Sequence, residues 1–132
     1  MQKKEELLNA LLVITPGKED QGLIRYLKKP ELRRVYDTFQ EWKRIYSIPW
    51  TQVETIKYLV EHGYKKEAEE ACQLSGEAWN NAKERFWNLP VWIDTPVHGN
   101  TKLIARITYY PWNHKITARC LSYQERKELK YF

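Results

Sequence analysis

The stretch KLIARITYYPWNHKITARCLSY, residues 102–123, decides how the C-terminal third of the chain folds. Its two halves alternate β-branched or aromatic side chains with polar ones, a period of two that indicates β-strands. The four residues 111–114 between the halves have the length of a hairpin loop. We predict that Tyr110 pairs with Lys115, because a one-residue slip would turn the apolar side chains out to water.

This register gives the hairpin one apolar and one basic face. The apolar face pairs Tyr109 with Ile116, Ile107 with Ala118 and Ala105 with Cys120. The basic face sets Thr108 opposite Thr117 and Arg106 opposite Arg119, with Lys102 and Lys115 at the two ends. Like charges paired across strands destabilise an isolated sheet, so this face predicts an anionic ligand. The alternative is a solvated strand face whose cations protect the edge from aggregation.

Two exposed aromatic residues are expected at the hairpin tip, Tyr110 and Trp112. Aromatic rings can stack on bases or cover a sugar-phosphate backbone, and arginines nearby can add cation–π contacts. Val91-Trp92-Ile93 has the composition of a third strand. Ser122-Tyr123-Gln124-Glu125 has the pattern of a capping box, which predicts a short terminal helix through Phe132.

The first half of the chain has helical periodicity. An apolar stripe comprises Leu7, Leu8, Leu11 and Leu12, and this first helix should end before Thr15-Pro16. A polar loop is expected from Gly17 to Gly22. A second helix should begin at Pro30 and end at Ser47-Ile48-Pro49; its apolar face comprises Leu32, Val35, Tyr36, Phe39, Trp42 and Tyr46.

A third helix should begin after Thr51, where Thr51-Gln52-Val53-Glu54 has the capping-box pattern, and end at Gly63. Its predicted buried face comprises Val53, Ile56, Leu59 and Val60. The following segment, residues 65–87, predicts two helices, 65–73 and 75–87, joined by a short turn. Small residues in the first helix and large apolar residues in the second indicate close packing between them.

This helix pair resembles a helix-turn-helix. The matching residues are the small positions Ala68 and Cys72, the turn residue Leu74, the helix cap Ser75 and the anchors Trp79, Ala82 and Phe86. Gln73 departs from the usual turn glycine. Together with the hairpin that follows, residues 51–123 resemble a winged helix. The alternative is an ordinary helical hairpin of the kind found in many all-α proteins.

The resemblance implies that the second helix of the pair, which offers Asn80, Asn81 and Lys83 to solvent, reads nucleic acid. The asparagines could contact adenine edges or could be ordinary solvated residues. The helix is nearly neutral, whereas a helix in the major groove normally gains from cations near phosphates. The resemblance also implies that the first helix is available for a homodimer through its leucine stripe; the alternative is that the stripe packs on the body of the domain.

Composition and charge limit the class of protein and the kind of partner. The chain has 132 residues, the length of one domain, with 42% hydrophobic and 14% aromatic residues, a mean hydropathy of −0.72 and a net charge of +5. Residues 89–132 contribute +4 of this charge, which favours an acidic partner. No apolar run is long enough for a membrane span, so we expect an intracellular, cytoplasmic protein. Two separated cysteines, Cys72 and Cys120, are expected to be buried.

No catalytic site emerges from the sequence. His62, His98 and His114 are scattered, and the sequence contains no nucleophile elbow, phosphate-binding glycine loop or HExxH motif. A metal site made of His98, His114 and Cys120 is unfavourable, because the predicted register separates these residues. We therefore predict no enzyme activity, no metal site and no cofactor.

The sequence thus predicts a single α+β, mainly helical domain over residues 1–132. Its parts are an N-terminal helical extension (1–48), a winged-helix-like part (51–123) and a short C-terminal helix (124–132). The expected function is binding of nucleic acid, duplex DNA first, as a transcription regulator without catalysis. The alternative is a small phage- or plasmid-type protein that binds and inhibits a host protein, using the basic hairpin or the exposed aromatic residues to contact an acidic surface of that partner. A structural nucleoprotein component is a third hypothesis.

Overall fold

The computed structural model describes residues 3–46, 50–98 and 100–129. Within these ranges the chain forms seven helices and a three-stranded antiparallel sheet, which confirms the α+β, mainly helical class. The elements are α1 (Lys4–Val13), α2 (Lys18–Arg25), α3 (Lys29–Tyr46), α4 (Gln52–Glu61), α5 (Lys65–Gln73), α6 (Glu77–Trp87), β1 (Val91–Val97), β2 (Asn100–Tyr110), β3 (Lys115–Cys120) and α7 (Tyr123–Glu128).

The predicted hairpin register is confirmed at every pair, from Tyr110 opposite Lys115 to Ala105 opposite Cys120. The third strand is also confirmed and is longer than predicted; β1 pairs with β2 from Val91 opposite Tyr109, in the order β1-β2-β3. At the tip, His114 has a positive φ of 54° and donates its backbone N–H to the Tyr110 carbonyl at 2.9 Å, which closes the four-residue loop.

Helices α1 to α3 form the main hydrophobic core with the apolar face of the sheet. Tyr109 lies at its centre, with its ring stacked on Trp42 at 5.4 Å and edge-on to Phe39 at 5.5 Å. Leu7 and Leu11 are fully buried in this core, and Leu8 and Leu12 pack against it. The leucine stripe therefore packs on the body of the protein, which confirms the second of its two predicted placements; a homodimer through the two buried leucines is wrong.

The expected polar loop from Gly17 to Gly22 is wrong, because α2 covers it. Glu19 and Asp20 lie in the first turn of this helix, where carboxylates interact favourably with the helix dipole. Ile24 is the buried residue of α2. Polar composition does not distinguish a loop from a short surface helix, because such a helix needs only one or two buried positions.

Helices α4 to α6 form a second, smaller cluster made of Leu59, Ala68, Ala71, Trp79 and Phe86. The predicted buried face of α4 is partly wrong: Val53 is 75% exposed and Val60 is also exposed, whereas Thr55 is buried. The Thr55 hydroxyl donates to the Thr51 carbonyl and accepts from Trp87 Nε1 at 3.0 Å. These hydrogen bonds satisfy the Thr55 hydroxyl, which allows a threonine on the buried face of α4.

Aromatic rings connect the two clusters. Tyr46 of α3 lies 5.7 Å from Tyr109 in the main core and 5.9 Å from Tyr58 of α4. Burial raises the pKa of Tyr46 and of Tyr58 far above the ordinary value. Tyr64, at the start of α5, contacts Trp92 of β1 at 5.7 Å and donates its hydroxyl to the Pro90 carbonyl. The helical pair and the sheet are thus joined by packed side chains.

Both predicted capping boxes are confirmed. Thr51 accepts from the Glu54 N–H and Ser122 from the Glu125 N–H, and each glutamate bonds back to the cap residue's N–H. The predicted end of the second helix, Ser47-Ile48-Pro49, and the last residues of the terminal helix, 130–132, lie outside the described residues.

Candidate nucleic-acid interface

The face of the sheet opposite the main core carries the predicted arginines, and each has a carboxylate partner. Arg106 makes a two-pronged ion pair with Asp94 on the neighbouring strand, with Nε–Oδ1 at 2.8 Å and Nη2–Oδ2 at 3.0 Å. The pair is largely buried, at 17% and 12% side-chain exposure, and the guanidinium lies 5.2 Å from the Trp92 ring centroid. The hydrogen bonds to Asp94 raise the pKa of Arg106.

Arg119 is paired in the same way with Glu125 at the start of α7. Both Nη atoms bond to the carboxylate at 2.8 Å, although the Arg119 side chain is 54% exposed. These bonds, together with the Ser122 N–H that also reaches Glu125, lower the pKa of the glutamate to about 2. Glu125 raises the pKa of Arg119 in turn.

The two ion pairs remove the reason for expecting an anionic ligand between the opposed arginines. Asp94 and Glu125 supply the counter-charges, so the protein itself provides what was assigned to a ligand. A signal for Asp94 was present in the sequence, because extending the antiparallel pairing from Val91 and Tyr109 sets Asp94 opposite Arg106. The sequence pattern identified Glu125 only as a capping residue.

The predicted lysines of the hairpin lie far apart. Lys115 is next to the tip, while Lys102 is exposed at the other end of β2. Eight residues of extended strand separate Lys102 from Tyr110, about 26 Å at 3.3 Å per residue. The four cations therefore line the length of a strand pair instead of forming one patch.

The hairpin tip carries an aromatic pair, in which Trp112 is exposed as predicted and Tyr110 is half-buried. The rings of Tyr110 and Trp112 meet edge to face at 4.9 Å, and Trp112 is 57% exposed. A hydrogen bond between the Tyr109 hydroxyl and His114 Nδ1 ties the loop to the main core. The tip therefore presents an indole on a loop anchored by a buried residue.

Helix α6 presents the other predicted contact residues. Asn80 and Asn81 are exposed, whereas Lys83 is partly buried with its ammonium 5.4 Å from the Trp87 ring centroid. Arg85 pairs with Glu70 of α5 at 3.2 Å. The polar face of α6 thus offers amide groups to solvent, while its cations lie against neighbouring side chains.

The helix pair follows the predicted pattern in part. The first helix spans the predicted residues, Ala68 is buried, and the anchor Trp79 is buried and stacked on Phe86 at 5.9 Å. The second helix begins at Glu77, and its cap is Gly76, with a positive φ of 54°, so the prediction of Ser75 as cap is wrong. A glycine accepts this backbone conformation with little strain, which side-chain capping rules do not capture.

The expectation that both cysteines are buried is wrong. Cys72 is exposed, and Ala71 fills the small position that it was expected to occupy. Cys120 is exposed at the end of β3 although its register is the predicted one. Its partner Ala105 is buried, so in the last residue pair of this face the β2 residue is covered and the β3 residue is not.

Two of the elements that carry candidate contact residues, α6 and the hairpin tip, lie toward the same end of the sheet. Three residues link Trp87 at the end of α6 to Val91, which pairs with Tyr109 next to the hairpin tip. The C-terminal end of α6 is therefore close to the tip, and Asn80 lies about two turns before that end of the helix.

Comparison with protein-family models, curated proteins and solved structures found no match to the chain. The relation to winged-helix proteins therefore stays a prediction from the sequence. Among the described residues, no group of three His, Cys, Asp or Glu side chains could hold a metal ion. The same part of the chain contains no helix that is both long and apolar enough to cross a membrane.

Proposed function

We propose that this protein binds nucleic acid, duplex DNA first, and acts as a regulator without catalysis. The observation that carries the proposal is the arrangement of α5 and α6. The two helices pack through Ala68, Ala71 and Trp79 around a short turn, and α6 keeps the amides of Asn80 and Asn81 in solvent. A hairpin with an exposed aromatic tip follows in the same order as the wing follows a recognition helix.

The proposed contacts fall into two groups. Asn80 and Asn81 read base edges, because an amide can bond to adenine through a donor and an acceptor at once. Lys115 and the rings of Tyr110 and Trp112 contact the backbone or unpaired bases. Additional phosphate contacts come from Lys83, Lys102 and the exposed edge of Arg119. Arg106 serves mainly to hold the sheet together through Asp94.

Fluorescence anisotropy with duplex DNA, single-stranded DNA and RNA over a salt series tests the proposal. Lys115→Gln should lower the slope of log K against log salt by about 0.9, the value for one phosphate contact. The matched control is Lys43→Gln, an exposed lysine in the last turn of α3, which should leave the slope unchanged. If the wild-type protein binds none of the three at low salt, the proposal is wrong.

Base reading by α6 is tested separately. Asn80→Ala with Asn81→Ala should reduce discrimination between sequences by about 1–3 kcal/mol for each base that the amides no longer read, with little change in the salt slope. Asn88→Ala, just beyond the last helical residue, is the control amide. Equal affinity for all sequences in the wild type would show that α6 does not read bases.

Binding to a protein partner is the second candidate, and the exposed Trp112 beside Tyr110 is the observation that favours it. Tryptophan, tyrosine and arginine are the residue types that most often carry the energy of protein interfaces. A purified partner that binds the wild type and binds Trp112→Ala at least tenfold more weakly would support this function. Unchanged binding of the variant would rule out the tip as its contact.

A further inference from the structure

A cleft of about 410 Å³ lies between the start of α3 and the end of β1. Its lining comprises Lys28, Pro30, Glu31, Arg34, Thr95, Pro96 and His98. Thr95 pairs with Ala105, about 17 Å along β2 from Tyr110. The cleft is thus separate from α6 and from the hairpin tip.

Positive charge predominates in this cleft. Lys28 and Arg34 are exposed, and His98 sits in the turn after β1 with its ring edge-on to Tyr26 at 5.7 Å. The cleft also lies at the N-terminus of an 18-residue helix, where the helix dipole favours an anion. Glu31 is the one carboxylate among the described lining residues; it is largely buried and interacts within the protein.

Arg34 is held in position by the sheet. Its Nη1 donates to the backbone carbonyl of Asp94 at 2.8 Å. This bond uses one of the five N–H donors of a guanidinium group. The remaining donors include a pair suited to a planar or tetrahedral oxyanion, the geometry in which arginine binds phosphate.

An unpartnered hydroxyl is the second and independent observation. Thr95 is 1% exposed, and its Oγ1 has no hydrogen-bond partner among the described residues. The other buried threonine hydroxyls are paired: Thr15 donates to the Leu11 carbonyl, and Thr55 both donates and accepts. A buried hydroxyl without a partner costs stability, and this one belongs to a residue that lines the cleft.

We propose that this cleft binds a phosphate group. Lys28 and Arg34 balance its charge, the Thr95 hydroxyl donates to one oxygen, and the first turn of α3 lies beside it. The phosphate belongs either to a nucleic-acid backbone or to a small phosphorylated molecule, since both present the same oxyanion. The site goes beyond the proposed function, which uses α6 and the hairpin tip.

The primary experiment is a titration of the full chain with inorganic phosphate, followed by amide chemical shifts. Saturable shifts are expected at residues 28–34 and 95–98. Lys28→Gln and Thr95→Val should each weaken binding about tenfold, the value of one hydrogen bond to a charged group. Thr95→Val should fold normally, because it removes a hydroxyl that bonds to nothing in the described protein.

Two matched variants control for charge and for the threonine substitution. Lys43→Gln makes the same charge change at the other end of α3, and Thr108→Val makes the same substitution on the outer face of the sheet. Neither should change phosphate binding. Shifts that do not saturate, or equal weakening by Lys43→Gln and Lys28→Gln, would overturn the proposal.

Parallel titrations with a mononucleotide and with duplex DNA separate the two sources of phosphate. Weaker duplex binding by Thr95→Val would assign the cleft to the nucleic-acid backbone. Mononucleotide binding that depends on Thr95, in a protein that does not bind duplex, would support the cleft and refute the nucleic-acid function. Duplex binding by a protein in which phosphate causes no shifts at the cleft would refute the cleft and leave that function standing.

Discussion

The main core and the α4–α6 cluster differ in how completely the sequence pattern determines which side chains are buried. The main core joins three helices to a sheet through a large set of buried residues centred on Tyr109. The α4–α6 cluster has five buried residues, two of them alanines. Strand register and apolar periodicity agree throughout the first region, whereas the second depends on close packing of small side chains and on individual hydrogen bonds. The difference predicts unequal stability for the two regions.

Trp42→Ala should have the largest effect. The indole is buried in the main core and stacks on Tyr109. Its removal therefore leaves a cavity between α3 and the sheet. Truncations of this kind cost about 3–5 kcal/mol of unfolding free energy, measurable by urea denaturation. Trp112→Ala is the control and should change stability by less than about 0.5 kcal/mol, because Trp112 is exposed. Equal effects would show that burial does not distinguish the two indoles.

Trp79→Ala should cost about 3 kcal/mol, at the lower end of the same range, and should act locally. Trp79 is one of two large aromatic residues in its cluster. Hydrogen exchange should accelerate in α4 to α6 before it does in β2. Uniform acceleration through the whole chain would mean that the two regions unfold as one unit.

The same contrast explains what could be predicted from the sequence. The register of β2 and β3 followed from alternation and from the length of the loop, because a one-residue slip would expose Ile107 and Tyr109. The caps at Thr51 and Ser122 followed from local side-chain chemistry.

The errors arose where burial depends on tertiary packing. The spacing of apolar residues in α4 does not reveal that Thr55 is buried and hydrogen-bonded to Trp87, or that Val53 is exposed. The partners of the two arginines were missed for a related reason. Asp94 lies just beyond the three residues predicted as the third strand, and Glu125 bonds to Arg119 across the turn between β3 and α7. The phosphate cleft was beyond sequence reasoning, since its residues come from two segments some 60 positions apart, as the Arg34–Asp94 bond shows.

Arg106→Met should reduce stability by about 2–3 kcal/mol, because it leaves the Asp94 carboxylate largely buried without its two guanidinium bonds. Replacing both charges, Arg106→Met with Asp94→Leu, should restore much of the stability, since neither charge is then unpaired. The reversal Arg106→Glu would place a second carboxylate beside Asp94 and should therefore destabilise the fold. A double variant no more stable than the single one would show that packing of the arginine stem dominates.

The smallest effect is expected at the exposed pair, where pH provides the test. The pKa of Glu125 is lowered from 4.5 to about 2, so the folded protein binds fewer protons than the unfolded chain between these values. The stability that this pair contributes is therefore present above about pH 4.5 and is lost as the pH falls toward about 2. Side-chain carboxyl NMR should show Glu125 titrating near pH 2, and Arg119→Met should move the pKa back toward 4.5. The return should be incomplete, because the Ser122 N–H still donates to Glu125 at 3.1 Å. A Glu125 that titrates at 4.5 in the wild type would mean that Arg119 does not hold it in solution, and the guanidinium would then be available to a phosphate.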